Sequence, residues 1–241
     1  MNRNAIIGRN VEILFRNSIG DNPSVVSKIQ AYFGIQSRFI NAISTGIHAE
    51  KADVKMEFAD GHNVDANVKA FKKSGISYNQ LTRTSLPNFC KRFSLQSEQG
   101  ILEGLFREKS KNAKGKLFPE IMQDKIRLIF EKIAEDILAW SFSYKKSREI
   151  IVIYERDSSV MLIYPMKEVF KRLGAEISFT RNGNIAIGKC VVFQRKGGNG
   201  VLFKDMPKHD LRHPGNNVQI KLKMKEFIAE MKDVLLATYS I

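Results

Sequence analysis

The chain has 241 residues, 43% hydrophobic and 10% aromatic, enough for one sizeable core and too apolar for a disordered chain. Its 39 Lys and Arg against 25 Asp and Glu give a net charge of +14, which favours polyanionic partners, nucleic acid first and an anionic membrane surface second. The two cysteines, Cys90 and Cys190, exclude a disulfide framework and point to a reducing compartment. No apolar run approaches the roughly 18–20 residues of a membrane span. The N-terminus, interrupted by Arg3, Arg9 and Glu12, lacks a signal-type apolar region. A soluble, cytoplasmic protein without membrane association is expected.

Ile7, Val11, Leu14, Phe15 and Ser18 recur at helical spacing and predict an opening amphipathic helix over 5–19. A second helix is expected from Pro23 to Phe33, with Val25, Val26, Ile29 and Phe33 inward and Gly34 as its stop. A loop centred on Gly46 then leads to a β-hairpin over 53–71, turning at Asp60-Gly61. Residues 78–140 read as helical, most clearly over 119–140, where Met122, Ile126, Ile129, Phe130, Ile133 and Ile137 make one stripe. Arg107–Lys116 reads as a basic loop, either solvated or touching phosphate.

The last third changes character. Glu149–Glu155 and Val160–Tyr164 are strand-like, and Lys167–Leu173 is a short helix ended by Gly174. Glu176–Gly198 reads as strand, Asn-Gly turn, strand and basic glycine loop. A strand over 218–223 and a helix over 225–239 close the chain. The expected class is α/β in the broad sense, an α+β mixed sheet flanked by helices, with two lobes around one sheet.

The hairpin poses the chemical question. Strand side chains alternate between faces, so Asp53, Lys55 and Glu57 share a face, as do Asp65, Asn67 and Lys69. Such a charged face is either solvated or, if covered, needs compensation. A divalent cation compensates carboxylates, and Mg²⁺ often takes only one or two of them, completing its shell with water and phosphate.

Asp53, thirteen intervening residues and then Asn67-Val68-Lys69 resemble the active-site motif of the PD-(D/E)xK nucleases. More narrowly, they resemble the MspI/HinP-type Type II restriction endonucleases, in which Asn or Gln replaces the acid before x-Lys. Ala52 stands where the wider family has Pro. Gly75–Leu81, Gly183–Gly200 with its QRKGG, and Asn216–Leu222 resemble further stretches of that family; Leu202–Gly215 and the final helix have no counterpart. The resemblance implies one restriction-endonuclease-like domain over 1–241, with a catalytic hairpin at about 50–72, a helical middle at 78–140 and a DNA-reading part at 148–241. It implies a site-specific, Mg²⁺-dependent deoxyribonuclease acting on double-stranded DNA, paired with a methyltransferase of the same specificity. A homodimer and a single acting chain are both compatible with it.

Roles follow from chemistry as well. Asp53 would hold the metal, Lys69 would position water and stabilise negative charge, and Asn67 can only orient or offer a neutral oxygen. The missing negative charge would come from Glu57 or Asp65, or from Glu12 on the first helix. Gln194, Arg195, Lys196 and Gly197 suit base and phosphate contact, since Gln pairs with adenine and Arg or Lys with guanine; a solvated turn is the plain alternative. Asn79 and Gln80 are second readers, and Lys204, Lys208, Arg212, Lys221 and Lys223 are phosphate contacts. His209, Asp210 and His213 suggest a zinc fragment that lacks further ligands. The competing functions are a catalytically silent DNA-binding module and a repair-type nuclease of the same fold.

Overall fold

The computed structural model describes residues 3–45, 53–72, 78–145, 147–198 and 205–241. The Gly46 loop, Ala52, residues 75–77, Asn199-Gly200 and Lys204 lie outside the described residues. In chain order the elements are α1 (Arg3–Ser18), α2 (Pro23–Phe33), β1 (Phe39–Ser44), β2 (Val54–Phe58), β3 (Asn63–Phe71), β4 (Tyr78–Thr84), α3 (Leu86–Arg92), α4 (Gln99–Lys111), α5 (Glu120–Glu131) and α6 (Ala134–Phe142). There follow β5 (Glu149–Glu155), β6 (Val160–Pro165), α7 (Met166–Leu173), β7 (Ile177–Phe179), β8 (Ile185–Ile187), β9 (Val191–Arg195), β10 (Val218–Lys223), α8 (Met224–Glu230) and β11 (Ala237–Ser240).

These elements pack as two units, residues 1–79, 142–173 and 224–241 in one, and 80–141 and 174–223 in the other. The first is built on a six-stranded sheet in the order β1-β2-β3-β5-β6-β11. Its pairs are antiparallel except β3 with β5. Val54, Met56, Phe58, Val64, Ala66 and Val68 alternate inward along the hairpin and meet Val11, Phe15, Val26 and Ile29 of α1 and α2 in one core. Burial of this face fixes the register, because a slip of one residue would expose every one of these side chains.

The second unit holds a five-stranded sheet, β4-β10-β9-β8-β7. Phe193 on β9 is fully buried and meets the rings of Phe89, Phe106, Phe118 and Phe130 at centroid distances of 4.9–6.4 Å. These aromatic contacts bind the helices α3–α5 to one face of the sheet.

Both opening helices, the Asp60-Gly61 hairpin, β5, β6, α7 and β10 follow the sequence pattern. Elsewhere the structure differs. Two sheets replace the expected single one. β1 falls where the sequence pattern assigns no element, and β4 in the stretch expected to be helical; both lack apolar alternation, and Ile40 and Ile43 of β1 are exposed. The stripe over 119–140 is two helices, α5 and α6, yet Ile133 N–H still bonds Phe130 O and Ile137 N–H bonds Ile133 O, which keeps one apolar face. Residues 107–111 complete α4 rather than a loop. Gly188, Lys189 and Cys190 break the expected strand into β8 and β9. The final helix stops at Glu230, and Ala237 and Tyr239 are buried while Thr238 and Ser240 are exposed, the period of a strand.

Candidate functional site

The hairpin pairs Lys55 with Asp65 and Glu57 with Asn63, so the charged residues face one way as the alternation requires. Asp53 precedes β2, and its N–H bonds Ala66 O. Its carboxylate turns across the strand: Oδ2 accepts the Val68 N–H at 2.7 Å and the Lys69 ammonium at 3.2 Å. The same ammonium donates to Val68 O at 3.1 Å. A lysine carries three N–H donors, so among the described residues one is left to point at a further acceptor. The two side chains are 18% and 23% exposed, sheltered enough to be ordered and open enough to meet a ligand.

Glu12 of α1 lies within electrostatic reach of this pair. Burial first, and the Asp53 carboxylate second, push its carboxyl above the usual range, partly offset by Lys69 and Arg9. A carboxyl that resists ionisation mainly through burial, and secondarily through another carboxylate, is one whose ionised form a bound cation would stabilise. Two carboxylates suit Mg²⁺ completed by water and phosphate. Among the described residues no three His, Cys, Asp or Glu side chains gather as an all-protein cage. The sequence offers Glu12 only as a weaker candidate after Glu57 and Asp65, because its charge partner Asp53 lies 41 residues away.

The other hairpin candidates go elsewhere. Glu57 is four residues along β2 from Asp53, about 13 Å at strand rise, too far to share an ion with it. Asn67 donates from Nδ2 to Phe142 O at 3.3 Å, while its Oδ1 is buried without a partner. It lines a small cavity with Asp65, Phe142, Ser143, Lys145, Glu149 and Met166. Glu149, directly across from Asp65, is buried and accepts the Lys145 N–H and the Ser147 hydroxyl. Asn79 donates to Ala70 O at 2.6 Å and so ties the end of β3.

In the second unit Gln194 and Arg195 point to opposite faces of β9. Gln194 lies opposite Gln219, and Arg195 opposite Val218. Arg195 is on the side of Phe193, half-buried, with Nε bonded to Asn216 Oδ1 at 2.7 Å. Burial lowers its pKa. Asn216, 1% exposed, also donates to Lys208 O and Asp210 O, so one buried amide joins the guanidinium to the 208–210 loop. Lys196 N–H bonds Asn217 O and Gly197 N–H bonds Gly215 O. Gly197 and Gly198 have φ of 68° and 73°, a backbone that favours glycine.

Gln80 is exposed and Lys221 half-buried. Arg212 is bonded to both oxygens of Asp210, which neutralises it as a phosphate contact. Arg107 and Lys111 line a cleft with Pro207, His209, Asp210 and Leu211. His213 is buried and its Nδ1 accepts the Gly215 N–H, which takes that nitrogen away from any zinc.

No protein-family model matches this sequence, and no curated protein does. Among solved structures the chain is similar to restriction endonuclease MspI in complex with its cognate DNA, at 13% identity over 83% of this chain and 77% of that one, with a TM-score of 0.51. At that identity the likeness is one of fold. The protein has a restriction-endonuclease-like fold, a mixed α/β architecture of sheets flanked by helices. No helix among the described residues is long and apolar enough to cross a membrane.

Proposed function

We propose that the protein is a Mg²⁺-dependent endonuclease that cuts double-stranded DNA at a short specific site, as a Type II restriction enzyme of the MspI/HinP branch. The observation that carries this reading is the contact of Lys69 with Asp53 across the hairpin of a restriction-endonuclease-like fold. The solved neighbour, a restriction endonuclease bound to its cognate DNA, and the net charge of +14 support DNA as the substrate.

In this reading Asp53 and Glu12 hold the Mg²⁺. The bound ion supplies charge neutralisation at the phosphate and acidifies water. Lys69 uses two donors on Asp53 and Val68 O, which fix its direction, and the third orients the attacking water or a phosphate oxygen. The Val68 N–H on Asp53 Oδ2 fixes the direction of that carboxylate. Asn67 supports the strand from its own cavity. Arg195 keeps its two terminal nitrogens for a guanine edge while Nε stays with Asn216. Lys196, Gly197 and Lys221 approach the backbone. Both units serve this one activity, in the cytoplasm, beside a methyltransferase of the same specificity, and a palindromic site would call for a homodimer.

The test is incubation with unmethylated phage DNA in Mg²⁺ or EDTA, alongside Lys69→Ala. Discrete fragments that require both Mg²⁺ and Lys69 are expected. A smear with the same dependence removes site specificity and favours repair. A salt-sensitive gel shift without cutting favours a binding module, which the charge alone would support.

A further inference from the structure

Three glutamine side chains form one hydrogen-bonded row across the second sheet. Gln194 Nε2 donates to Gln219 Oε1 at 3.3 Å, and Gln219 Nε2 donates to Gln80 Oε1 at 2.5 Å. The row crosses the adjacent strands β9, β10 and β4. Gln219 at its centre is 8% exposed, whereas Gln194 is half-buried and Gln80 exposed. A covered hub therefore carries two accessible arms.

The chemistry of the carboxamide couples those arms. Each amide has one acceptor oxygen and one donor nitrogen. Gln219 uses its oxygen on one neighbour and its nitrogen on the other. The arms must then face the hub in opposite senses. If Gln194 turns its NH2 inward and its oxygen outward, Gln80 turns its oxygen inward and its NH2 outward. The row can run either way, but no arm flips alone, because oxygen would then meet oxygen or NH2 meet NH2. An unpaired amide at the covered hub is costly, which makes the arrangement all-or-none. Lys221 shares the face of Gln219, two residues along β10, and places a cation beside the row.

We propose that Gln219 is a positioning residue that locks Gln80 and Gln194 into opposite senses, so that the two amides read two base positions of a DNA duplex as one unit. The inference rests on the reading of this surface as DNA-facing. It goes further in making specificity at two positions depend on a residue that touches no base. An arm with its oxygen and one N–H outward matches the N6 donor and N7 acceptor of adenine, and a fixed sense excludes the base whose edge has the reverse order.

The experiment selects bound duplexes from a randomised pool by gel shift in EDTA, so that cutting plays no part. Preference is read as the ratio of selected to unspecific binding, which cancels a general loss of affinity. If the row is one unit, Gln80→Ala lowers preference at its own position and at that of Gln194, each by roughly five- to hundredfold. Gln194→Ala does the same in reverse, and Gln219→Met relaxes both. Gln219→Glu, with two acceptors, turns both NH2 groups inward and switches preference at one position instead of erasing it. Gln80 is exposed, so its variant reports even if changes at Gln219 disturb folding. Independent, additive losses in the Gln80 and Gln194 variants overturn the proposal while leaving DNA reading intact. A wild-type protein with no base preference overturns DNA reading, and the proposal with it.

Discussion

Lys69 Nζ lies 3.2 Å from Asp53 Oδ2, and the same oxygen receives the Val68 N–H at 2.7 Å. Asp53 is therefore held by the backbone independently of the lysine. Removing the ammonium takes away a partly exposed ion pair, worth about 1 kcal/mol or less, without collapsing the strand. Lys69→Ala is expected to lose cutting by at least about a hundredfold, the scale of one electrostatic contact in a reacting site, while DNA binding and Tm stay close to wild type. Asp53→Ala, which also strips the acceptor from Val68 N–H, should cost more stability than Lys69→Ala. Cleavage assays, gel shifts and thermal melts of the two variants check this, and a Lys69→Ala protein that cuts at the wild-type rate would remove Lys69 from the site.

Glu12 gives a pH signature. Burial and the nearby Asp53 raise its carboxyl above the usual 4.5. A carboxyl with a raised folded pKa binds its proton more tightly folded than unfolded. Its stabilising contribution is full below the usual value and is lost as pH rises through the raised one. Tm of the metal-free protein should fall across that window, and Glu12→Gln should flatten the fall. Added Mg²⁺ should raise Tm chiefly above the window, where the carboxylate is ionised. A wild-type slope that Glu12→Gln leaves unchanged would separate Glu12 from Asp53.

Asn216 is a stability prediction of a different kind. It is buried, accepts from Arg195 and donates to Lys208 O and Asp210 O. Asn216→Ala leaves a half-buried guanidinium and two carbonyls without that partner. A loss of about 2–4 kcal/mol is expected. Arg195→Ala removes only one member and should cost less stability, but about 1–3 kcal/mol of discrimination at one base. Chemical denaturation and competition binding separate the two effects.

The sequence disclosed what depends on local pattern. Period-2 alternation and Asp60-Gly61 predict the hairpin and the shared faces of its charged residues, and the Asp53…Asn67-Val68-Lys69 motif singles out Asp53 and Lys69, which the structure joins. The glycines at 34 and 174 marked helix ends. It did not disclose what depends on distant pairing. The parallel match of β3 with β5 joins Asp65 to Glu149, 84 residues apart, and that match brings Glu149 to the cavity that Asn67 lines. Edge strands such as β1 bury neither face fully and so lack the alternation that reveals a strand. Gln219 carries no signal of its own within the strand expected over 218–223, because only its neighbours on β9 and β4 show its part in the row.

The cavity around Asn67 suits an amide better than an acid at this position. Asp65 and Glu149 line the same space, and Glu149 already satisfies the Lys145 N–H and Ser147 hydroxyl. A third carboxylate there would be half-covered, next to two others, and among the described residues Lys145 is the one cation that lines the cavity. Asn67→Asp is therefore expected to destabilise the protein by at least about 2 kcal/mol at pH 8, where a covered charge is costly. Burial would raise the pKa of the new carboxyl, so the loss should shrink as pH falls and the group takes up its proton. Denaturation midpoints at pH 8 and pH 5 measure both. If Asn67→Asp instead leaves stability unchanged and strengthens Mg²⁺ binding, Asn67 stands in the metal's shell with Asp53, and the cavity is not its place in the working site.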